Sequence, residues 1–220
     1  MSAGAKPASG SGRLITLEGG EGAGKSTVLD AVRERLEQRG IAVVVTREPG
    51  GTVLGEAVRE IVLDPARRDI SAESELLLMF AARAQLVREL IRPSLDAGQW
   101  VLSDRFTDAS YAYQGAGRGQ PAERIADLER WAATLKPNLT LLLDLPIAEG
   151  LARAGGRGKA DRIELESSDF FERVRAAYRA RAMDEPARFR IIDATRSIAD
   201  VRAAACEAID AFVEAQRASA

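Results

Sequence analysis

At 220 residues, with 46% apolar side chains and a net charge of −2, the chain suits one sizeable core and lacks the basic excess of a dedicated nucleic-acid binder. With no histidine and a single cysteine, it excludes imidazole-based nucleophilic triads, histidine zinc sites and an internal disulfide. No apolar run is long enough to span a bilayer, so no membrane partner is expected and a cytoplasmic protein is the default.

The N-terminus, "MSAGAKPASGSG", lacks the apolar core of a signal peptide, and residues 1–12 read as a disordered leader before a single domain over 13–218. "RLITLE" (Arg13 to Glu18) is a β-branched first strand. Lys25 to Arg39 has helical periodicity, with Val28, Leu29, Val32 and Leu36 on one face and Gly40 as C-terminal cap. "AVVVT" (Ala42 to Thr46) is a second strand, apolar throughout, as expected for one buried on both faces.

Thr52 caps a helix that runs to about Asp64 and is stopped by Pro65. Ser71 opens a long helix ending near Ala97-Gly98, with Pro93 bending its last turn. "WVLSD" (Trp100 to Asp104) is the third strand. A helical piece holding "SYAYQ" follows, then another from Pro121 to about Leu135. "LTLLLDL" (Leu139 to Leu145) is the fourth strand, and Pro146 starts a helix that gives way to "AGGRGKADR".

Ser168 caps the next helix, Asp169 to about Met183. "FRIID" (Phe189 to Asp193) is the fifth strand, and Ser197 with Asp200 forms a capping box for the final helix. That last stretch is alanine-rich, and Cys206 within it reads as a small, buried or half-buried side chain. Strands alternating with amphipathic helices predict an α/β protein with a largely parallel sheet.

The stretch "LEGGEGAGKST" fits the P-loop pattern: Gly19, four residues, then Gly24-Lys25-Ser26, between a strand and a helix. Its glycines let backbone N–H groups turn inward around phosphate oxygens, and the following helix adds its positive end. Lys25 reaches the β- and γ-phosphates, and Ser26 offers a hydroxyl to Mg²⁺. A magnesium nucleoside triphosphate is the implied ligand, bound by Gly19, Gly20, Glu21, Gly22, Ala23, Gly24, Lys25, Ser26 and Thr27.

A P-loop fixes a ligand but not a reaction. No Asn-Lys-x-Asp segment is present, which argues against a guanine-nucleotide switch. Asp104 and Arg105 follow the third strand, where open α/β sheets bind ligands. Asp104 suits Mg²⁺ or its water shell, and Arg105 suits a phosphate. Asp144 also ends an apolar strand and competes for the metal; Asp104 ranks ahead because an arginine adjoins it.

"RAGGRGKADR" sets Arg153, Arg157, Lys159 and Arg162 among glycines, as in a mobile lid of about 153–166 that closes on transferring phosphate and excludes water. Met79, Phe80 and Arg83 fall on one helix, with Met79 and Arg83 sharing a face suited to sandwiching a base and binding a phosphate.

Together, "LEGGEGAGKST", "TREPGGT", "MFAARAQL", "SDRFTDASYAYQG" and "RGKADRIE", in that order, resemble the bacterial thymidylate kinases from Leu14 to the last helix. The resemblance implies a P-loop nucleotide-kinase fold: a five-stranded parallel sheet ringed by helices, with a lid. It implies transfer of the ATP γ-phosphoryl group to thymidine 5′-monophosphate (dTMP) with Mg²⁺, in a cytoplasmic homodimer.

By resemblance, Glu21 lies near the acceptor sugar, while Lys25, Asp104 and Arg105 lie at the transferred phosphate and metal. Arg83 contacts the acceptor phosphate or the thymine edge. Ser110, Tyr113 and the adjacent Gln114 line the base and the sugar's 2′ position. Glu48 and Pro49 shape the acceptor pocket, with the isomer of the Pro49 bond open. Where some members carry a P-loop arginine this chain has Gly22, so the compensating cations come from the lid, as Arg153, Arg157 or Arg162. Many members stack a phenylalanine on thymine where this chain has Met79, with Phe80 next to it; which of the two covers the base stays open.

Overall fold

The computed structural model describes residues 12–155 and 160–218. Five strands form one parallel sheet: β1 (Leu14–Gly19), β2 (Val43–Arg47), β3 (Trp100–Asp104), β4 (Leu139–Asp144) and β5 (Phe189–Asp193), in the order β2-β3-β1-β4-β5. β3 and β5 coincide with the predicted segments, and the other three agree to within a residue at each end.

β1 is central and buried along its whole length, and its side chains alternate between the two faces. Ile15 and Leu17 join α1 (Lys25–Gln38) and α9 (Ile198–Ala218) in a core with Val28, Val32, Ile209 and Val213. Leu14 packs on the opposite face with Leu86, Ile91 and Phe106. β2 departs from the expectation of burial on both faces. It is an edge strand, and Val45 is 39% exposed, because no strand lies beyond it. Apolar runs therefore mark strands here without marking centrality.

α2 (Val53–Leu63) is capped by the Thr52 hydroxyl, which accepts from Gly55 N–H at 2.9 Å. α3 (Ala72–Leu86) starts at the Ser71 cap and passes through a π-helical segment, Val87–Ile91, into α4 (Arg92–Asp96). The single bent helix expected here thus contains a wide turn in which Arg92 N–H reaches Val87 C=O. Pro93, one residue on, has no N–H for an i−4 carbonyl, so the ladder changes register just before it.

α5 (Thr107–Ser110) also runs into a π-helical segment, Tyr111–Gly117, and α6 (Ala122–Leu128) into another, Glu129–Ala133. α7 is Ile147–Ala154 and α8 is Ser168–Asp184. The cap of α8 is Ser167 rather than Ser168: its hydroxyl accepts from Phe170 N–H, while Ser168 is already helical. Ser197 caps α9 by accepting from Asp200 N–H and bonding its carboxylate, as expected.

Cys206 is half-buried in α9. No helix among the described residues is long and apolar enough to cross a membrane. All five strands end on one side. Gly19, Arg47, Asp104 and Asp144 stand at that carboxyl edge, which is where the chemistry gathers.

Candidate active site

The glycine loop has the shape that its residues predict. Gly19, Gly22 and Gly24 have φ of 143°, 72° and 85°, values that L side chains resist. A Cβ on Gly22 would also sit 2.0 Å from the carbonyl oxygen of Gly150 in α7. This close backbone contact holds the loop against α7. Lys25 opens α1, and its ammonium donates to the carbonyls of Gly19 (3.1 Å) and Gly20 (3.0 Å). Burial, then the nearby Arg105 charge, pull the Lys25 ammonium below its ordinary range, as expected for a cation waiting for an anion.

Beside the loop lies a cavity of about 340 Å³. Its P-loop wall is Glu21 to Ser26. Glu48, Pro49, Met79, Asp104, Arg105, Tyr113 and Gln114 continue it, and Arg162 closes one side. Gly19, Gly20, Thr27, Phe80, Arg83, Ser110 and Arg153 do not line it.

Arg105 is held at φ 71°, a left-handed conformation unusual for a residue with a Cβ. Its N–H bonds Leu17 C=O and its own carbonyl accepts from the Ser103 hydroxyl. The turn carries the guanidinium to Glu21 Oε1 at 2.8 Å and over the Tyr113 ring, 4.6 Å from its centroid. The Tyr113 hydroxyl donates to the same Glu21 oxygen at 3.0 Å. Burial raises the Tyr113 phenol far above its ordinary range, so it stays a donor. The second guanidinium nitrogen of Arg105 reaches the Tyr178 hydroxyl, which donates to Glu18.

Asp104 ends β3 with Oδ1 buried and without a partner among the described residues. Ser26 is exposed in the first turn of α1, on the same cavity. An unsatisfied carboxylate oxygen and a hydroxyl beside a phosphate cradle are the oxygen donors that Mg²⁺ takes, and the residues fit that ion. Among the described residues there is no cluster of three acidic or cysteine ligands. Asp144, the sequence-level competitor, is occupied instead: Arg175 and Arg179 of α8 bond it at 2.7 Å each. It serves as an ion-paired strand end.

The acceptor side is less direct than the helical spacing suggests. Arg83 is fully buried, donating to Glu48 (2.7 Å), the Ser110 hydroxyl (3.0 Å) and Phe106 C=O (3.1 Å). Phe80 lies under the Arg83 guanidinium, 4.5 Å from its centre, in a cluster with Leu76 and Ile125. Met79 is the member of the pair that reaches the cavity. Glu48 also lines it; burial raises its carboxyl above the ordinary range, and its Oε1 has no partner among the described residues. The Glu48–Pro49 peptide bond is cis.

Arg153 donates to Ala194 C=O and pairs with Glu149, away from the cavity. Arg162 is buried against Glu75 and Val62. Arg157 and Lys159 lie outside the described residues.

Arg59 on α2 also lines the cavity, donating to Pro49 C=O at 3.1 Å. Burial, then the neighbouring Arg47 charge, lower its pKa. Glu75 and Ile163 line it as well. Nothing in the local sequence singles these three out, because only packing of distant segments brings them to the cavity.

A thymidylate kinase family model matches residues 17–205. The chain belongs to the thymidylate kinase family. A thymidylate kinase of Pseudomonas syringae pv. tomato is 53% identical over 207 residues, covering 94% of this chain and 99% of that protein. One of Methylococcus capsulatus is 56% identical, covering 92% and 97%. The crystal structure of thymidylate kinase from Ehrlichia chaffeensis superposes with a TM-score of 0.73 at 30% identity, covering 92% of this chain and 99% of that one.

Proposed function

We propose that this cavity is where the γ-phosphoryl group of ATP passes to dTMP. The chain is a nucleoside monophosphate kinase, and its products are thymidine 5′-diphosphate and ADP, a step toward thymidine triphosphate. The observation that carries the assignment of the site is the Arg105–Glu21 pair. It joins the phosphate cradle to the wall holding Tyr113, Gln114 and Met79, so that one cavity has a triphosphate end and a nucleoside end.

Phosphoryl transfer of this kind is mainly positioning and charge stabilisation, and the acceptor phosphate oxygen is already ionised, so no general base is needed. The P-loop amides and Lys25 hold the donor phosphates. Arg105 and Arg59 bring cations to the acceptor phosphate. Glu21, oriented by Arg105 and Tyr113, faces the acceptor sugar, and Met79 covers the base. Arg83 acts through Glu48, whose carboxylate it fixes in the cavity wall. Ser26 and Asp104 would hold Mg²⁺, which supplies neutralising charge to the transferring phosphates. The lid segment, through Arg162 on the cavity wall, shuts out water, while Arg153 is turned to Ala194 and Glu149.

We also propose a cytoplasmic homodimer. Exposed Val53 and Leu54 on α2 and Leu77 on the adjoining α3 are apolar surface that a second copy would cover. The reading is tested by incubating the chain with ATP, Mg²⁺ and single nucleoside monophosphates and following ADP release. ATP turnover indifferent to dTMP would sink it.

A further inference from the structure

Glu75, on the first turns of α3, is buried and bonded by side chains from two separate segments of the chain. Its Oε1 accepts from Gln114 Nε2 at 2.9 Å and, at the longer distance of 3.4 Å, from Arg118 Nε. Its Oε2 accepts from Arg162 at 2.5 Å and from Arg118 at 3.2 Å. Arg162 and Glu166, which bonds Arg118, are residues of the lid segment; Arg162 is also tied by main chain and side chain to the end of α2, at Leu63 and Val62.

A carboxylate between two guanidiniums only accepts hydrogen bonds. Gln114 must therefore turn its NH₂ toward Glu75, which decides the orientation of its amide. The other end, Gln114 Oε1, is buried and without a partner among the described residues, on a side chain that lines the cavity.

We infer that Glu75 is a positioning residue: it fixes Gln114 with its acceptor edge toward the nucleotide and anchors the stem of the lid to the same carboxylate. This deepens the proposed function and rests on it. A fixed acceptor suits a base with an N–H at the 3-position of the pyrimidine, as in thymine and uracil. It mismatches cytosine, whose ring nitrogen there is itself an acceptor.

The substitution Glu75→Gln reverses the polarity of the arrangement. Its one remaining oxygen stays with Arg162 and Arg118, which can only donate, so its new NH₂ faces Gln114. The Gln114 carbonyl then turns to meet it and its NH₂ faces the cavity.

The test compares kcat/KM for dUMP and dCMP, acceptors that differ only on the 3,4 edge of the base. In the ratio, losses of folded enzyme or of ATP binding cancel. The wild-type chain is expected to prefer dUMP, and Glu75→Gln to lower that preference by about tenfold or more, the size of one buried hydrogen bond turned to a mismatch. An unchanged ratio overturns the inference. Should Glu75→Gln not fold, Glu75→Asp, which keeps the charge for Arg162 and Arg118 but withdraws the carboxylate from Gln114, takes its place: a lowered preference supports the inference and an unchanged one overturns it. A wild-type chain that phosphorylates dTMP while the ratio stays fixed in the variant removes the inference alone. A wild-type chain that accepts no pyrimidine nucleotide removes the functional reading as well.

Discussion

Arg105 donates to Glu21 across 2.8 Å, joining the loop after β1 to the loop after β3. One end of the pair is part of the phosphate cradle and the other leaves its strand through a left-handed turn. Holding a non-glycine residue there costs about 1–3 kcal/mol, which the main-chain bonds to Leu17 and Ser103 offset. Arg105→Ala is expected to lower turnover on the order of 10²–10³-fold, as for loss of one preorganised donor at the developing charge. A coupled ADP-release assay reads this directly, and near-normal turnover would remove Arg105 from the transfer step.

Among the described residues Lys25 bonds the carbonyls of Gly19 and Gly20 in its own loop, and it has to exchange these for phosphate oxygens. Lys25→Ala should lose turnover on the same order, 10²–10³. A variant that keeps its rate with saturating dTMP would show that the loop amides suffice.

Tyr113 holds Glu21 with its hydroxyl and is one of the residues lining the cavity. A deoxy sugar leaves room beside C2′, and if the ring fills it, Tyr113→Ala should raise kcat/KM for UMP relative to dUMP. Tyr113→Phe keeps the ring and should keep the discrimination. Equal ratios in all three enzymes would place the ring elsewhere.

Gly22 meets Gly150 so closely that any side chain must move the loop or α7. Gly22→Ala adds a Cβ at φ 72°, with an expected loss of about 1–3 kcal/mol. For a chain of this size that lowers the melting midpoint by roughly 2–4 °C per kcal/mol. An unchanged midpoint would mean that the contact relaxes freely.

Glu18 lies beneath Arg105, with Phe106 N–H and the Tyr178 hydroxyl on its two oxygens. Burial, then the Asp108 charge, raise its pKa from an ordinary 4.5 to about 8. Between those values the folded chain holds a proton that the unfolded chain has released. Stability from this group is therefore complete below pH 4.5 and is lost as pH rises to about 8. Glu18→Gln should flatten the fall in melting temperature over that window; parallel profiles for the two proteins would contradict it.

Some of this protein is legible locally. β3 and β5, the glycine loop, and the caps at Thr52, Ser71 and Ser197 depend on residues adjacent in sequence, so periodicity and turn chemistry expose them. The sequence ranks Asp104 above Asp144 by its neighbouring arginine; that Arg175 and Arg179 occupy Asp144 is visible only in the packed structure.

What the sequence alone determined was thus the alternation of elements, the phosphate cradle and, through motif resemblance, the family. Only the tertiary structure decided the edge position of β2, the partners of Arg83 and Arg162, and the place of Arg59 and Glu75 in the cavity wall. Glu48 stands 35 residues from Arg83, and Glu75 stands 87 from Arg162. Local chemistry sets which conformation a segment prefers, whereas a pairing across such a separation exists only once the sheet and helices have packed and removed water from both partners.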